Sequence, residues 1–179
     1  MNSFVLHMEG ALAGWGTSAS TFYYRDTAEY PKKRHVVGLL SAAMGYNRGD
    51  PRIKELSDAI DMDIMYDYSD KGDILKDFCS IYNDKTYVYN YDGKPEQVKI
   101  PQANGTKSRN GRIFHKWYRV CPRYNIRISS KDDKLIDELV ESVEDPCYPM
   151  FLGRKCCVGN VYVISCDEEL ELQKNSNRK

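Results

Sequence analysis

Three short stretches of this 179-residue chain concentrate side chains that bind anions and unpaired bases. Lys32, Lys33, Arg34 and His35 follow Pro31 at the head of an apolar-periodic segment. On the first turn of a helix they would meet free backbone N–H groups and a dipole that already attract negative charge. Cations there cost a helix roughly a few tenths of a kcal/mol each. Their clustering therefore asks for a ligand, and a phosphate is the natural one; the plainer alternative is that they are only solvated. The second stretch, Arg112 to Arg119 (RIFHKWYR), interleaves aromatics with cations. As a strand it sends Arg112, Phe114, Lys116 and Tyr118 to one side, and Ile113, His115, Trp117 and Arg119 to the other. Aromatic faces stack unpaired bases while Arg and Lys hold phosphates. One face is expected to be core, with Trp117 its best candidate, and the other to bind. The third, Phe151 to Cys156 (FLGRKC), sets Arg154 and Lys155 after Gly153, which permits close backbone approach.

Other chemistry has less support. His35 and His115 stand in basic surroundings with Lys and Tyr nearby, the groups a metal-independent ribonuclease uses to move protons. Their spacing does not show that they meet. The six cysteines form no C-x-x-C pair, and adjacent Cys156 and Cys157 suit neither zinc nor an easy disulfide. Reduced thiols, no metal and no cofactor are expected. No apolar run is long enough to span a bilayer, and Met1 to Gly10 lacks a leader pattern, so a cytoplasmic location without membrane attachment is expected.

Formal net charge is zero, but its distribution is not even. Lys99 to Arg127 carries eight basic residues and no acid, whereas Asp58 to Asp84 holds eight Asp against Lys71 and Lys76. Such segregation can put a positive face on a neutral protein, and phosphate responds to the local potential.

The elements that must hold these groups are legible from periodicity. Ser3 to Met8 reads as a first strand, and Gly10 to Gly16 (GALAGWG) as a turn around Trp15. The helix after Pro31 has Val36, Val37, Leu39, Leu40, Ala43 and Met44 on one face and Gly45 at its end. A second short helix opens on Asp50-Pro51. Met62 to Tyr68 alternates apolar with Asp, as a strand does, and Ile74 to Tyr82 reads as another strand. Tyr87 to Tyr91 and Gln97 to Ile100 flank Asp92-Gly93, a hairpin signal. Arg112 to Val120 and Tyr124 to Ser129 alternate again. Asp132 to Glu144 is an amphipathic helix, and Val161 to Ser165 a last strand. With insertions removed the order is strand, helix, strand, strand, helix, strand. That predicts an α+β, ferredoxin-like (RRM-like) palm, βαββαβ, over residues 1–166. A thumb-like β-hairpin is inserted at about 83–111, and 167–179 form a polar tail. Phe22, Tyr23, Tyr24 and Tyr30 are candidates for an apolar partner interface.

Several stretches together resemble one family. Gly10 to Gly16 resembles its G-P-x-Q-S-W-G segment. Tyr30 to Gly45 (YPKKRHVVGLLSAAMG) is similar to its P-[TS]-[KR]-S-G-[VL]-[LI]-G-L-L-[AG]-A-A-L-G helix. Pro149 to Cys156 resembles its P-x-Y-L-G-R-[KR]-[SA]-C loop, and Ile74 to Phe78 its L-x-D-[YF]-H-T strand. The family is the CRISPR-associated CasD subunit of the type I, subtype E Cascade complex, in the RAMP superfamily. The likeness covers most of residues 3–160 in order. It departs at Arg34-His35, where the family has Ser-Gly, and at Cys79-Ser80, where it has His-Thr. Longer relatives also continue well past Gly159.

The resemblance implies a non-catalytic ribonucleoprotein subunit for antiviral defence. It would bind the repeat-derived 5′ handle of the guide RNA (crRNA) and cap one end of the complex against the backbone subunit and the large subunit. The thumb, around residues 85–111, would wedge beside the guide–target DNA duplex. On that reading Lys32, Lys33, Arg34, Arg154 and Lys155, with His35, hold handle phosphates. Trp15 shapes the pocket or stacks a base, and Lys107, Arg109, Arg112 and Lys116 follow the guide backbone. The alternatives are a metal-independent endoribonuclease that processes CRISPR repeat RNA, with His35 or His115 as base, and a protein–protein module with an acidic partner.

Overall fold

A computed structural model describes residues 2–18, 23–81, 87–89, 95–97 and 112–164. Strand β1 (Asn2–Gly10) runs into β2 (Leu12–Ala13), and β3 (Tyr24–Arg25) precedes helices α1 (Lys33–Ala43) and α2 (Arg52–Ala59). Then come β4 (Ile60–Ile64), a 3-10 turn at Tyr66–Tyr68, β5 (Asp73–Ile81), β6 (Tyr87–Tyr89), β7 (Pro95–Gln97), β8 (Arg112–Val120) and β9 (Arg123–Ser130). Helix α3 (Asp133–Glu144) and β10 (Gly159–Ile164) complete the order.

Two sheets divide the work. The first is antiparallel throughout, in the order β10-β1-β9-β4. Alternation sends Leu6 and Met8 of β1, Tyr124, Ile126 and Ile128 of β9, and Ile60 of β4 into the core. Val36, Val37, Leu39 and Leu40 of α1 and Ile136, Leu139 and Val143 of α3 pack into the same core. The helix ends follow local chemistry. Gly45, at φ +76°, lets its N–H reach the Ala42 carbonyl and the Tyr46 N–H reach that of Ser41, closing α1 in a Schellman motif. The Asp132 carboxylate accepts from the Lys134 and Leu135 N–H groups and starts α3.

The second sheet is a long antiparallel ribbon of β5 and β8, registered from Asp73↔Val120 to Ile81↔Arg112. Strand β2 pairs with β8 antiparallel and β3 pairs with it parallel. Strands β6 and β7 form a separate antiparallel pair, Tyr87 opposite Gln97 and Tyr89 opposite Pro95.

Three expectations change here. The excursion between β4 and β9 is longer than the 83–111 insertion read from sequence, because β5 and β8 also lie outside the four-stranded sheet. The alternating segment stops being a strand at Ile64: the Met65 carbonyl accepts from the Ser69 hydroxyl, and the chain closes into the Tyr66–Tyr68 turn. Pro31 stands just outside α1 rather than in its first turn, which begins at Lys33 after the cap residue Lys32.

Candidate nucleic-acid interface

The turn after β1, the start of α1 and the loop before β10 come together, although they are far apart in sequence. Gly14 N–H donates to the Leu152 carbonyl at 2.9 Å. Gly153 sits at φ +90°, and a Cβ there would lie 2.2 Å from the Gly14 carbonyl oxygen. Only glycine lets these two loops interlock. From the other side, the Arg34 guanidinium donates to the Gly16 carbonyl, which also lies 3.1 Å from His35 Nε2. His35 Nδ1 accepts from the Lys32 N–H at 3.0 Å, and the Arg34 Nε lies 3.3 Å from His35 Nε2. The imidazole thus takes the place of the Glu or Gln of a capping box. Burial, then the adjacent Arg34 charge, push its pKa below the ordinary histidine value against the opposing Gly16 hydrogen bond.

Lys32, Arg34 and Lys155 are exposed and Lys33 is half-buried. The Lys32, Lys33 and Lys155 ammonium groups enter no ion pair among the described residues. These side chains are open to solvent at the junction of the three segments.

Two other expected contacts are corrected. Trp15 is 1% exposed and packs between the His35 and Tyr124 rings, with centroids 5.6 and 5.8 Å away. It shapes the site from beneath and cannot stack a base. Arg154 is turned inward: its guanidinium donates to the carbonyls of Trp117 at 3.1 Å, Arg25 at 2.8 Å and Asp26 at 3.1 Å, and lies 4.7 Å from the Tyr118 ring centroid. It ties the loop to the second sheet and leaves Lys155 as that loop's outward cation. Burial also pushes the Cys157 thiol up to about 11.

On the ribbon, residues opposite each other share a face. The buried face carries Phe114 and Tyr118 and also holds Lys116 opposite Asp77. Trp117, expected as core, is half-buried on the other face. There Lys76 lies 5.4 Å from its ring centroid, and Tyr24 stacks on His115 at 5.3 Å. Phe78, Ile74, Ile113 and Tyr24 of that face are exposed, Phe78 at 68%. The aromatic–cation pattern is present, but the face assignment from sequence was inverted. The backbone of Arg112 opens β8, whereas Lys107 and Arg109 lie outside the described residues. Of the aromatic interface candidates, Tyr23 and Tyr24 are exposed, Tyr30 is half-buried and Phe22 lies outside the described residues.

Sequence reasoning singled out Tyr30 only as an interface candidate and did not single out Asp63 or Tyr66. They line a cavity of about 390 Å³ beside Lys32 and Lys33. Tyr66 was read as part of a strand; the turn at Met65 is what brings it against Tyr30, with ring centroids 4.9 Å apart. His35 and His115 share no hydrogen bond or ring contact among the described residues. No helix among the described residues is long and apolar enough to cross a membrane.

Comparison with known proteins gives a consistent picture. The family model of the CRISPR-associated protein (Cas_Cas5) matches residues 3–175. The fold is similar to a chain of a solved CRISPR RNA-guided surveillance complex, with TM-score 0.65 and 21% identity. That match covers 89% of this chain and 60% of the other, so this chain spans less than two thirds of that relative. A solved Cas protein is also similar, with TM-score 0.57 and 21% identity, covering 95% of this chain and 70% of that one. No curated protein matches the sequence.

Proposed function

Because the chain belongs to the CRISPR-associated protein (Cas_Cas5) family, we propose that it is a non-catalytic crRNA-binding subunit of a type I, subtype E Cascade surveillance complex. It holds the 5′ handle of the guide and caps the backbone. The observation that carries this reading is the convergence of three distant segments into one surface. Interlocked loops fix Gly16, α1 starts against it, and Lys32, Lys33, Arg34 and Lys155 surround the junction. Cations on the first turn of a helix are unfavourable for the helix itself and favourable beside a polyanion.

The four-stranded sheet supports a ferredoxin-like palm, since strand, helices, strand, strand, helix and strand alternate in the spatial order β10-β1-β9-β4. The partners follow from the same reading: guide RNA, target DNA near the guide–target duplex, and the backbone and large subunits. The cytoplasm is the compartment in which it would work. The state of His35 favours binding over cleavage. Its Nδ1 accepts from a backbone N–H, and its Nε2 is hemmed in by the Gly16 carbonyl and the Arg34 guanidinium, surroundings that disfavour a general base.

The test incubates the full chain with labelled repeat RNA in EDTA, reading binding by gel shift and integrity on a denaturing gel. Salt-sensitive binding with intact RNA is expected, with a shallower salt dependence in Lys33→Ala/Arg34→Ala. A discrete cut that disappears in His35→Ala or His115→Ala would replace this reading with the endoribonuclease.

A further inference from the structure

We propose that the exposed face of the β5–β8 ribbon is a stacking platform for an unpaired single strand of nucleic acid, held through its bases. This goes beyond the handle reading, because the platform lies on the second sheet and uses none of the residues at the start of α1. Three observations carry it.

The first is a set of flat rings gathered on one face. Tyr24 of β3 registers with His115 of β8, and their rings stack at 5.3 Å with 17° between planes. Trp117, two residues along the strand, lies 5.9 Å from the His115 ring and 6.2 Å from that of Tyr24. Phe78 stands opposite His115 on β5 and is 68% exposed; Tyr24 is 52% exposed. Rings this open offer aromatic surface, and every base has a face to lay on it. The second is charge. Alternation puts both acids of β5, Asp73 and Asp77, on the opposite face, and the positions of β3, β5 and β8 that share the ring face hold no Asp or Glu. Lys76 is on it: its ammonium lies 5.4 Å from the Trp117 ring centroid and enters no ion pair among the described residues. Rings for the bases and a cation for the phosphate between them is the pairing that single-strand binders use.

The third is what the face forgoes. On this ribbon Phe114 and Tyr118, on the other face, are the buried rings. Phe78, Ile74 and Ile113 stand in water and give up the burial that their side chains would gain in a core. A contiguous apolar surface of this kind marks a contact site. Its one-sided charge fits a polyanion that also carries flat apolar parts. A paired strand hides its base faces in the duplex, whereas an unpaired one presents them. Stacking does not read the sugar, so guide RNA and an unpaired DNA strand share this chemistry, and the test separates them.

The test uses the full chain and fluorescein-labelled oligouridylate about eight nucleotides long, within the usual site size of a single-strand binder, together with its deoxyuridine counterpart. Each is also made with abasic linkers in place of the central bases, which keeps the phosphates and removes the stacking. Binding is read by anisotropy. Removing the bases should weaken binding at least about tenfold, the scale of one stacked base. Phe78→Ser should lose as much on the intact strand and almost nothing on the abasic one, whereas Lys33→Ala/Arg34→Ala should weaken both forms alike. Phe78→Leu, which keeps apolar bulk without the ring, should behave as Phe78→Ser does, and Phe78→Tyr should bind like the native chain. Lys76→Ala should reduce the salt slope by about 0.7. Circular dichroism checks that each variant is folded, and Tyr24→Ser repeats the comparison on a second ring. A base-dependent loss in the RNA arm alone assigns the platform to the guide, and one in the DNA arm alone assigns it to an unpaired DNA strand. An equal affinity for intact and abasic strands, a base dependence that both Phe78→Ser and Tyr24→Ser leave unchanged, or full binding by Phe78→Leu would overturn the platform and give the face to a protein partner, with the handle reading left standing. Base-dependent DNA binding with no RNA binding would overturn the handle reading and keep the platform. Absence of binding to either nucleic acid would overturn both.

Discussion

The interlocked loops at the start of α1 and the β5–β8 ribbon are both rich in cations and aromatics, yet the chain treats them in opposite ways. At the loops it turns its cations onto its own backbone: the Gly16 carbonyl is held by Arg34 and approached by His35, Arg154 donates to three carbonyls, and Trp15 is sealed beneath with its Nε1–H lacking a hydrogen-bond partner among the described residues. On the ribbon it leaves Phe78, Ile74, Ile113 and Tyr24 exposed on one face. The first region is built rigid with a few cations left over for a ligand. The second presents apolar surface that no described residue covers. A basic residue's role is thus decided by which carbonyls lie around it, and two neighbours such as Arg154 and Lys155 can belong to different categories.

The sharpest way to break this contrast is Gly153→Ala. A methyl group at φ +90°, aimed at the Gly14 carbonyl, combines backbone strain with a steric clash. A loss of more than about 2 kcal/mol in urea unfolding is expected. Next, Arg154→Ala strands three carbonyls and should cost about 2 kcal/mol. Lys155→Ala should leave stability within about 0.5 kcal/mol. Its effect should appear instead as a salt slope for RNA binding reduced by about 0.7. Equal stability losses for the two would erase the distinction between tie and contact.

The third is a pH effect. His35 has its pKa lowered in the folded chain by burial and by Arg34, so between that value and the ordinary histidine value of about 6.5 the unfolded chain binds more protons. The stability it contributes is complete above the unfolded value and is lost as pH falls through the folded one. The denaturation midpoint should therefore drop on acidification below neutrality. In His35→Gln, which retains an acceptor for the Lys32 N–H without titrating, the drop should be shallower; an unchanged profile would remove His35 from the cap. The smallest effect is expected on the ribbon: Phe78→Ser should move stability by less than about 0.5 kcal/mol, since the ring buries little.

How far the sequence could be read follows the same division. The helices were legible because apolar positions repeat at helical spacing, and because Gly45 and Asp132 are stop and start signals whose chemistry is local. Period-two alternation located β5, β8 and β9 but could not say which sheet each joins, since alternation specifies a face and not a neighbour. For that reason the excursion from the four-stranded sheet was drawn too short, and Trp117 was assigned to the core in place of Phe114 and Tyr118. The family was legible through its ordered glycine and cation motifs, and the match over residues 3–175 agrees with it. Within the candidate site, the convergence of Lys32, Lys33, Arg34 and Lys155 could be anticipated only from residue type and clustering. Arg154 was misjudged because its carbonyl partners come from Arg25, Asp26 and Trp117, contacts no local pattern encodes. Tyr66 was missed because the Met65 turn that swings it to Tyr30 depends on tertiary contacts with β9, including the Met65 N–H to the Asn125 carbonyl.

The position of β1 has a consequence for synthesis. Both of its neighbours, β9 and β10, lie more than a hundred residues downstream. At translation rates of about 5–20 residues per second, the first strand leaves the ribosome on the order of ten seconds before any chain exists to flank it. Until then both its edges are open to pairing with other strands. The four-stranded sheet can therefore close around its central strand only after most of the chain has been made.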